Sequence, residues 1–583
     1  MDNPLVARYL CKRRGTPTVF TDTSSWQRML PVLMCFAACT PAREATPQTS
    51  VSPATSASPQ ATEDPRETEA REVDSLLSAL PAHKPKLALV FVLDGLRPDS
   101  ITPEQTPNLH ALRADGVAFS ASHSVFPTVT RVNASSFATG RYPRAHGIIG
   151  NSIYAPAVDP SKAISTGEYD QLRALEKHGP LLLTESLGEI LARQGKKLAV
   201  VSSSGNGCAY LLNHKAAAGV GVLINGYLDP GKLVAFPGDV HDKVVARFGH
   251  PPPRDQAAGA VDWAENVLRE YVLPELAPDV IINWITQPDS AQHKFGARSP
   301  EAKAAISNAD RNIGLVLDKL KALALYDKTS IFVVSDHGFS LIDYVVNLAS
   351  ELVKAGLKES LTSQDVVVAG NAIHVPSHDP ERIRAIAEFL QKQSYIDAVF
   401  SAARSSGKEE PLGVVEGTFS LAFARLDPRE RAADLVVSFP WSSELNRYGA
   451  RGRQALDGYR VDDVTGPRDG DESGHGNLSP FDVRNTWFAW GAGIKHGLTS
   501  PVPVSNVDLL PTLLTLLNVP VPEVDGRVLA EAFEGGPEAE KIPIATRAFA
   551  ADAKSTPHAI LQVSYVGRHR YLDKTWRSAL SPR

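Results

Sequence analysis

Cysteine is nearly absent from this sequence. There are four, and Cys11, Cys35 and Cys39 all fall within the first forty residues, which leaves Cys208 alone in the body of the chain. An intramolecular disulfide in that body is excluded, so it must stand on its core and on any metal it holds. Long runs of one charge are missing as well: Lys+Arg 60 against Asp+Glu 65 gives a net charge of −5, with no basic block. That excludes a nucleic-acid-wrapping surface as the default reading, although clustered cations would still attract an anion locally. Nor is there an internal repeat. The N-terminal apolar stretch Met29–Cys39 is too short to span a bilayer as a helix.

That stretch follows Lys12, Arg13, Arg14 and Arg28, the order of an export signal. Phe36-Ala37-Ala38-Cys39 resembles a bacterial lipobox, in which the cysteine is lipidated and becomes the new N-terminus; simple cleavage and secretion with an unmodified Cys39 is the alternative. Residues 40–84 are rich in Pro, Ser, Thr and Ala, a composition that cannot bury enough apolar surface to offset its ordering entropy. The expected organisation is a signal over 1–39, a flexible linker over 40–84 and a catalytic body over 85–583. The expected setting is the periplasm or outer membrane of a bacterium, or else secretion, with a lipid at Cys39 as the sole membrane contact.

From Leu87 the pattern changes. Leu87–Leu93 is apolar at every position and ends at Asp94-Gly95; Leu198–Val201, Val280–Ile285 and Ile331–Val334 repeat the shape. Runs apolar on both faces mark strands of a parallel sheet covered by helices. Amphipathic stretches at Thr184–Arg193, Val261–Val272 and Asn312–Leu323 lie between them, and Asp379-Pro380 signals another helix start. The alternation predicts an α/β layered sandwich around a mostly parallel sheet. The stretches near 151–275 and 340–470 are richer in loop signals and read as insertions that cap the site.

Such sheets bind ligands at the carboxyl ends of their strands, where Asp94, Asp289 and Asp336 each fall. Taken singly, the polar residues have bland readings. Asp94 caps a turn, Asp289-x-x-x-His293 is a common chance spacing, and His475, between Gly474 and Gly476, is a loop histidine. Asp336-His337-Gly338 is stronger, because two ligand types sit side by side at a sharp backbone. Together, three Asp and three His make a nitrogen and carboxylate donor set of the size that two zinc ions need, other divalent metals also being acceptable. A hydroxyl at a helix start, Thr128 or Thr130, is placed for activation by a metal; the pattern alone leaves both open.

The ordered set Asp94-Gly95, Phe126-Pro127-Thr128-Val129-Thr130 with Asn133, and Gly140-Arg141-Tyr142-Pro143 with His146-Gly147 closely resembles the nucleotide pyrophosphatase/phosphodiesterase branch of the alkaline phosphatase superfamily. Gln287-Pro288-Asp289 with His293, then Ser335-Asp336-His337-Gly338, Gly474-His475-Gly476, Asp508 and Asp525-Gly526-Arg527 continue it to about Arg527. The resemblance implies an alkaline-phosphatase-like three-layer sandwich with cap insertions. It assigns one zinc to Asp289, His293 and His475, and the other to Asp94, Asp336, His337 and Thr130. It makes Thr130, three residues before Asn133, the nucleophile of a phospho-threonine mechanism, with Asn133 on a non-bridging phosphoryl oxygen. Where nucleotide-cleaving members carry an aromatic or bulky apolar residue after the nucleophile, this chain has Arg131, which either meets a further substrate charge or faces solvent. The expected activity is phosphodiester or pyrophosphate hydrolysis of a small phosphate ester. A phosphomonoesterase on the same site and a non-catalytic envelope binding protein are the alternatives. A sulfatase is disfavoured, since no Cys/Ser-x-Pro-x-Arg segment stands at the nucleophile.

Overall fold

The apolar runs become the centre of the molecule. In the computed structural model a nine-stranded sheet is built from β1 (Leu87–Leu93), β2 (Val117–Phe119), β3 (Leu198–Ser202), β4 (Val222–Asn225), β5 (Ala235–Phe236), β6 (Val280–Ile285), β7 (Thr329–Val334), β8 (Trp487–Gly491) and β9 (Leu498–Ser500). Their spatial order is β9-β2-β8-β7-β1-β6-β3-β4-β5. The five strands from β7 to β4 are mutually parallel, with Val92 opposite Val334 and Leu93 opposite Ile285. Strand β8 runs antiparallel to β7, and β5 antiparallel to β4. The structure describes residues 71, 74–75, 84–228, 232–405, 409–458, 464–551 and 557–578. The expected signal over 1–39 and nearly all of the linker over 40–84 lie outside them.

Why the sheet is covered on both faces can be read along β1. Ala88, Val90 and Val92 enter one apolar core, and Leu87, Leu89, Phe91 and Leu93 enter another. Successive strand side chains point to opposite faces, and β3, β6 and β7 divide the same way between the two cores. At about 1.5–3 kcal/mol for each fully buried large apolar side chain, these strands are held by both layers at once. Helix α1 (Thr130–Thr139) lies on one side. Helix α2 (Asn206–Leu212) and helix α3 (Asp289–Phe295) follow the loops after β3 and β6. Helix α4 (Pro300–Ala322) begins with Ser299 accepting the Ala302 N–H and a proline in its first turn, and it buries Ile306, Ile313, Val316 and Leu320, one face at helical spacing.

The two stretches expected as insertions differ in kind. Residues 151–275 deliver β3, β4 and β5 to the central sheet. Residues 340–470 build most of two further five-stranded sheets, over a core of their own that includes Ile373, Leu390, Val399 and Phe439. The helix signalled at Asp379 runs over Pro380–Gln391, capped by the Asp379 carboxylate. The chain closes with a hairpin, Ala559–Val566 against His569–Arg577. Among the described residues no helix is long and apolar enough to cross a membrane.

Candidate active site and metal centre

The parallel register fixes where the acids fall. Asp94 follows β1, Asp336 and His337 follow β7, and Asp289 opens α3 just beyond β6. Because β1 is hydrogen-bonded to both β6 and β7, the three carboxylates reach one edge of the sheet. His293 lies one turn after Asp289 on α3, and the Asp289 N–H donates to the Asp94 carbonyl at 3.0 Å. His475 comes from far along the chain: Ser473–Gly474 pairs with Leu341 and Ser340, just beyond β7. Gly95 and Gly338 are steric requirements. A Cβ on Gly95, at φ 68°, would lie 2.7 Å from the Phe339 ring, and one on Gly338 would lie 2.0 Å from the Phe481 carbonyl oxygen.

Two clusters result. In the inner one, His337 Nε2 lies 3.0 Å from Asp336 Oδ2 and 3.5 Å from Asp94 Oδ1. In the outer one, Asp289 Oδ1 lies 3.3 Å from His293 Nε2 and 3.5 Å from His475 Nε2. The His337 and His475 rings stack at 3.4 Å between the two. Proximity also groups His337 with Asp289 and His475, but the short Nε2 contacts of His337 run to Asp336 and Asp94, so it is assigned to the inner cluster.

The hydrogen bonds decide what these clusters suit. All three imidazoles face a backbone carbonyl with Nδ1: His293 to Ser473 and His337 to Gly338 at 2.9 Å, and His475 to Thr128 at 2.8 Å. A ring that donates from Nδ1 turns an Nε2 lone pair inward. The two facing Nε2 atoms of His293 and His475 are 3.2 Å apart, and Asp94 Oδ1, Asp336 Oδ2 and Asp289 Oδ1 are buried without a hydrogen-bond partner. Six groups able to turn lone pairs inward therefore converge, a donor set that fits divalent cations. Burial pushes the Asp94 carboxyl well above its ordinary value, with Asp336 and Asp289 adding to the push. Burial also raises Asp336 to about 7 and lowers His475 to about 3. Against its own burial, Asp289 is held well below the carboxylate range by His293 and His475. Trp284 Nε1–H donates to Asp94 Oδ2 at 3.0 Å and fixes that carboxylate.

The two threonines separate cleanly. Thr128 Oγ1 donates to the Asn477 carbonyl and accepts the Gly476 N–H, so it ties the His475 loop down. Thr130, first residue of α1, has its Oγ1 3.4 Å from His337 Nε2. Asn133, expected on a phosphoryl oxygen, is instead scaffold. It is fully buried, its Oδ1 accepts from Val125 N–H and Asn506 Nδ2, and its Nδ2 donates to the Val125 and Val129 carbonyls. No amide capacity remains for a ligand. The amide that does border the site is Asn151, which sequence reasoning missed. Its Oδ1 accepts the Arg131 N–H at 3.1 Å, which fixes the amide and leaves Nδ2 as its donor. It lines a cavity of about 210 Å³ with Val129, Asn371, Asp457 and His475. A larger cavity of about 620 Å³, lined by Arg97, His123, Phe481 and Asp573, contains none of the six clustered residues. Arg131 is half-buried, and its guanidinium lies beside Gly167 and Gly205.

Residues 88–448 match the family model described as type I phosphodiesterase / nucleotide pyrophosphatase. The chain is 27% identical over 252 residues to ectonucleotide pyrophosphatase/phosphodiesterase family member 1 of Mus musculus, a match covering 43% of this chain and 24% of that protein. It is 24% identical over 257 residues to venom phosphodiesterase 2 of Crotalus adamanteus, covering 44% and 27%. The chain thus spans about a quarter of the length of these curated relatives. Murine ectonucleotide pyrophosphatase / phosphodiesterase 5 superposes with a TM-score of 0.50 at 18% identity, covering 76% of this chain and 97% of that one, and its human counterpart with 0.51. The architecture is the alkaline-phosphatase-like three-layer sandwich.

Proposed function

The chain belongs to the type I phosphodiesterase / nucleotide pyrophosphatase family, and from that premise we propose that it is a metal-dependent hydrolase of phosphodiester or pyrophosphate bonds in small phosphate esters, with Thr130 as its nucleophile. The observation that carries the reading is the convergence of three imidazole Nε2 atoms and three unpartnered carboxylate oxygens beside the Thr130 hydroxyl. Asp94, Asp336 and His337 would hold one cation, and Asp289, His293 and His475 the other. Zinc suits the donors, and other divalent metals are compatible. When bound, the cations supply positive charge that eases ionisation of the hydroxyl and offsets the charge of the phosphoryl group.

The rest falls to the chain's own residues. Thr130 Oγ1 attacks phosphorus as the ester or anhydride oxygen departs. Water then cleaves the phospho-threonine, returns the hydroxyl and releases the phosphorylated product. Position favours this, because Thr130 opens a helix whose N-terminal dipole stabilises negative charge there. Asn151 Nδ2 would donate to a non-bridging oxygen, the role that the resemblance assigns to Asn133. Export is part of the proposal: a signal over 1–39, a linker over 40–84, a catalytic body over 85–583 and a lipid at Cys39 as the one membrane contact. The ecto- and venom enzymes among the relatives support an exported setting.

The test is turnover of bis(4-nitrophenyl) phosphate and 4-nitrophenyl phosphate by the body with and without chelator. Chelator-sensitive release from the diester is expected. Faster turnover of the monoester would favour a phosphomonoesterase. No turnover by metal-loaded protein would favour a binding protein.

A further inference from the structure

Arg131 is a cation that the mechanism above does not use. It follows the nucleophile on α1, and its backbone N–H is tied to Asn151. Its Nε is buried without a hydrogen-bond partner, and among the described residues no carboxylate lies within ion-pair distance of its guanidinium. The nearest candidate by sequence is engaged elsewhere: Glu168, adjacent to Gly167, lies 4.0 Å from Arg254. The space around the guanidinium is kept open by two glycines, since a Cβ added at Gly167 or Gly205 would stand 3.0 or 3.3 Å from Nη2. Gly205 in turn follows Ser204, whose Oγ lies 3.5 Å from Asp94 Oδ2 in the inner cluster. The charge therefore stands on the residue next to Thr130 and beside a loop that touches Asp94. A half-buried guanidinium with a dry, unmatched N–H is costly unless an anion completes it, and its planar fork fits phosphate and carboxylate oxygens.

We propose that Arg131 is a specificity determinant that pairs with a second negative charge on the substrate, next to the phosphoryl group that Thr130 attacks. The inference rests on the reading that Thr130 attacks a phosphate ester, and it holds for a diester and for a monoester alike. The preferred substrate carries more than the single charge of a simple diester, either as a dianionic transferred phosphoryl or as an anionic group on the arm that stays attached to phosphorus. An aromatic residue at this position would offer a stacking face; a guanidinium selects charge instead.

The experiment measures kcat/KM of the metal-loaded protein for three esters with a common leaving group. They are bis(4-nitrophenyl) phosphate, 4-nitrophenyl phosphate, and a 4-nitrophenyl diester whose other arm ends in a carboxylate. The unmodified protein is expected to favour at least one doubly charged ester over the first, and to lose that preference as salt is raised. In Arg131→Gln the preference should fall by about ten- to a hundredfold, and Arg131→Lys should keep part of it. Whichever doubly charged ester is favoured identifies the source of the charge. Thermal melting of both variants reports on folding. A preference that survives in Arg131→Gln within about twofold, or none in the unmodified protein, overturns the assignment. Failure of all three esters would instead sink the hydrolase reading itself, and this inference with it.

Discussion

The inner and outer clusters use the same donor types and lie within one ring stack of each other, yet they are built differently. Asp94, Asp336 and His337 have side chains 0–3% exposed and hang from two hydrogen-bonded parallel strands, β1 and β7. In the outer cluster His293 is 33% and Asp289 17% exposed, while His475, 4% exposed, follows a two-residue strand that pairs beyond the end of β7. The inner geometry is thus set by the central sheet. The outer geometry also depends on how the 473–476 loop is held. Preorganisation and dryness favour tight cation binding on the inner side, and access favours exchange on the outer.

The sharpest way to break that contrast is to remove one donor from each side. Asp336→Asn is expected to lower diester turnover by about 10³-fold or more, and excess zinc should not restore it. His293→Ala should lower it by about 10–100-fold and be partly rescued by added metal, with metal analysis giving one tightly held ion per chain. Equal losses and equal rescue would erase the distinction. In metal-free protein the contrast inverts. Asp94→Asn should raise the melting temperature, because it removes one of several buried carboxylates that repel each other.

The pair of threonines, one facing the inner cluster and one holding the outer loop, carries the contrast to the hydroxyls. Both changes probe hydroxyls two residues apart. Thr130→Ala should abolish turnover by at least about 10⁴-fold at unchanged melting temperature. Thr128→Ala should keep a functional nucleophile but cost about 1–2 kcal/mol of stability and loosen the outer cation, since its hydroxyl ties Asn477 and Gly476. Turnover retained by Thr130→Ala would reassign the nucleophile.

The same contrast explains what the sequence disclosed. Strands β1, β3, β6 and β7 are buried on both faces, so they appear as mostly apolar runs, and the acids after β1, β6 and β7 mark the edge where the site lies. Strands β2 and β9 are three residues long, and Ser473–Gly474 is two; such lengths carry no period, and their pairing is decided by partners far along the chain. Strand β8 is nearly as buried as β7 but runs antiparallel to it at long range, and nothing local announces that. Residues 151–275 looked like an insertion because their loops dominate, although three sheet strands lie within them. The family resemblance points to Asn133, whereas Asn151 stands in a Gly-Asn loop with no pattern of its own. Folding exchanges their roles: one amide is enclosed by backbone and the other borders a cavity.

That exchange gives the third test. Asn151→Ala should reduce kcat/KM by about a hundredfold without lowering the melting temperature, as expected for a lost donor to a developing charge. Asn133→Ala should act first on stability, through the Val125, Val129 and Asn506 hydrogen bonds it removes. The opposite pattern would return Asn133 to the site.

A buried carboxylate outside both clusters supplies the smallest and most independent test. Glu265 is fully buried, accepts from Asn283 Nδ2 at 2.8 Å through Oε1 and leaves Oε2 without a partner. Burial raises it from 4.5 to about 7. A carboxyl raised in the folded state binds its proton more tightly there than in the unfolded chain, so stability is greatest below about pH 4.5 as far as this group is concerned and falls as pH climbs towards and past 7. Between pH 5 and pH 8 that loss amounts to about 2 kcal/mol. Glu265→Gln keeps the acceptor and removes the charge, so its unfolding free energy should exceed that of the unmodified chain at pH 8 and match it near pH 5. If the two denaturation curves shift in parallel across that range, Glu265 is already neutralised by a partner. Burial would then not be what sets its titration.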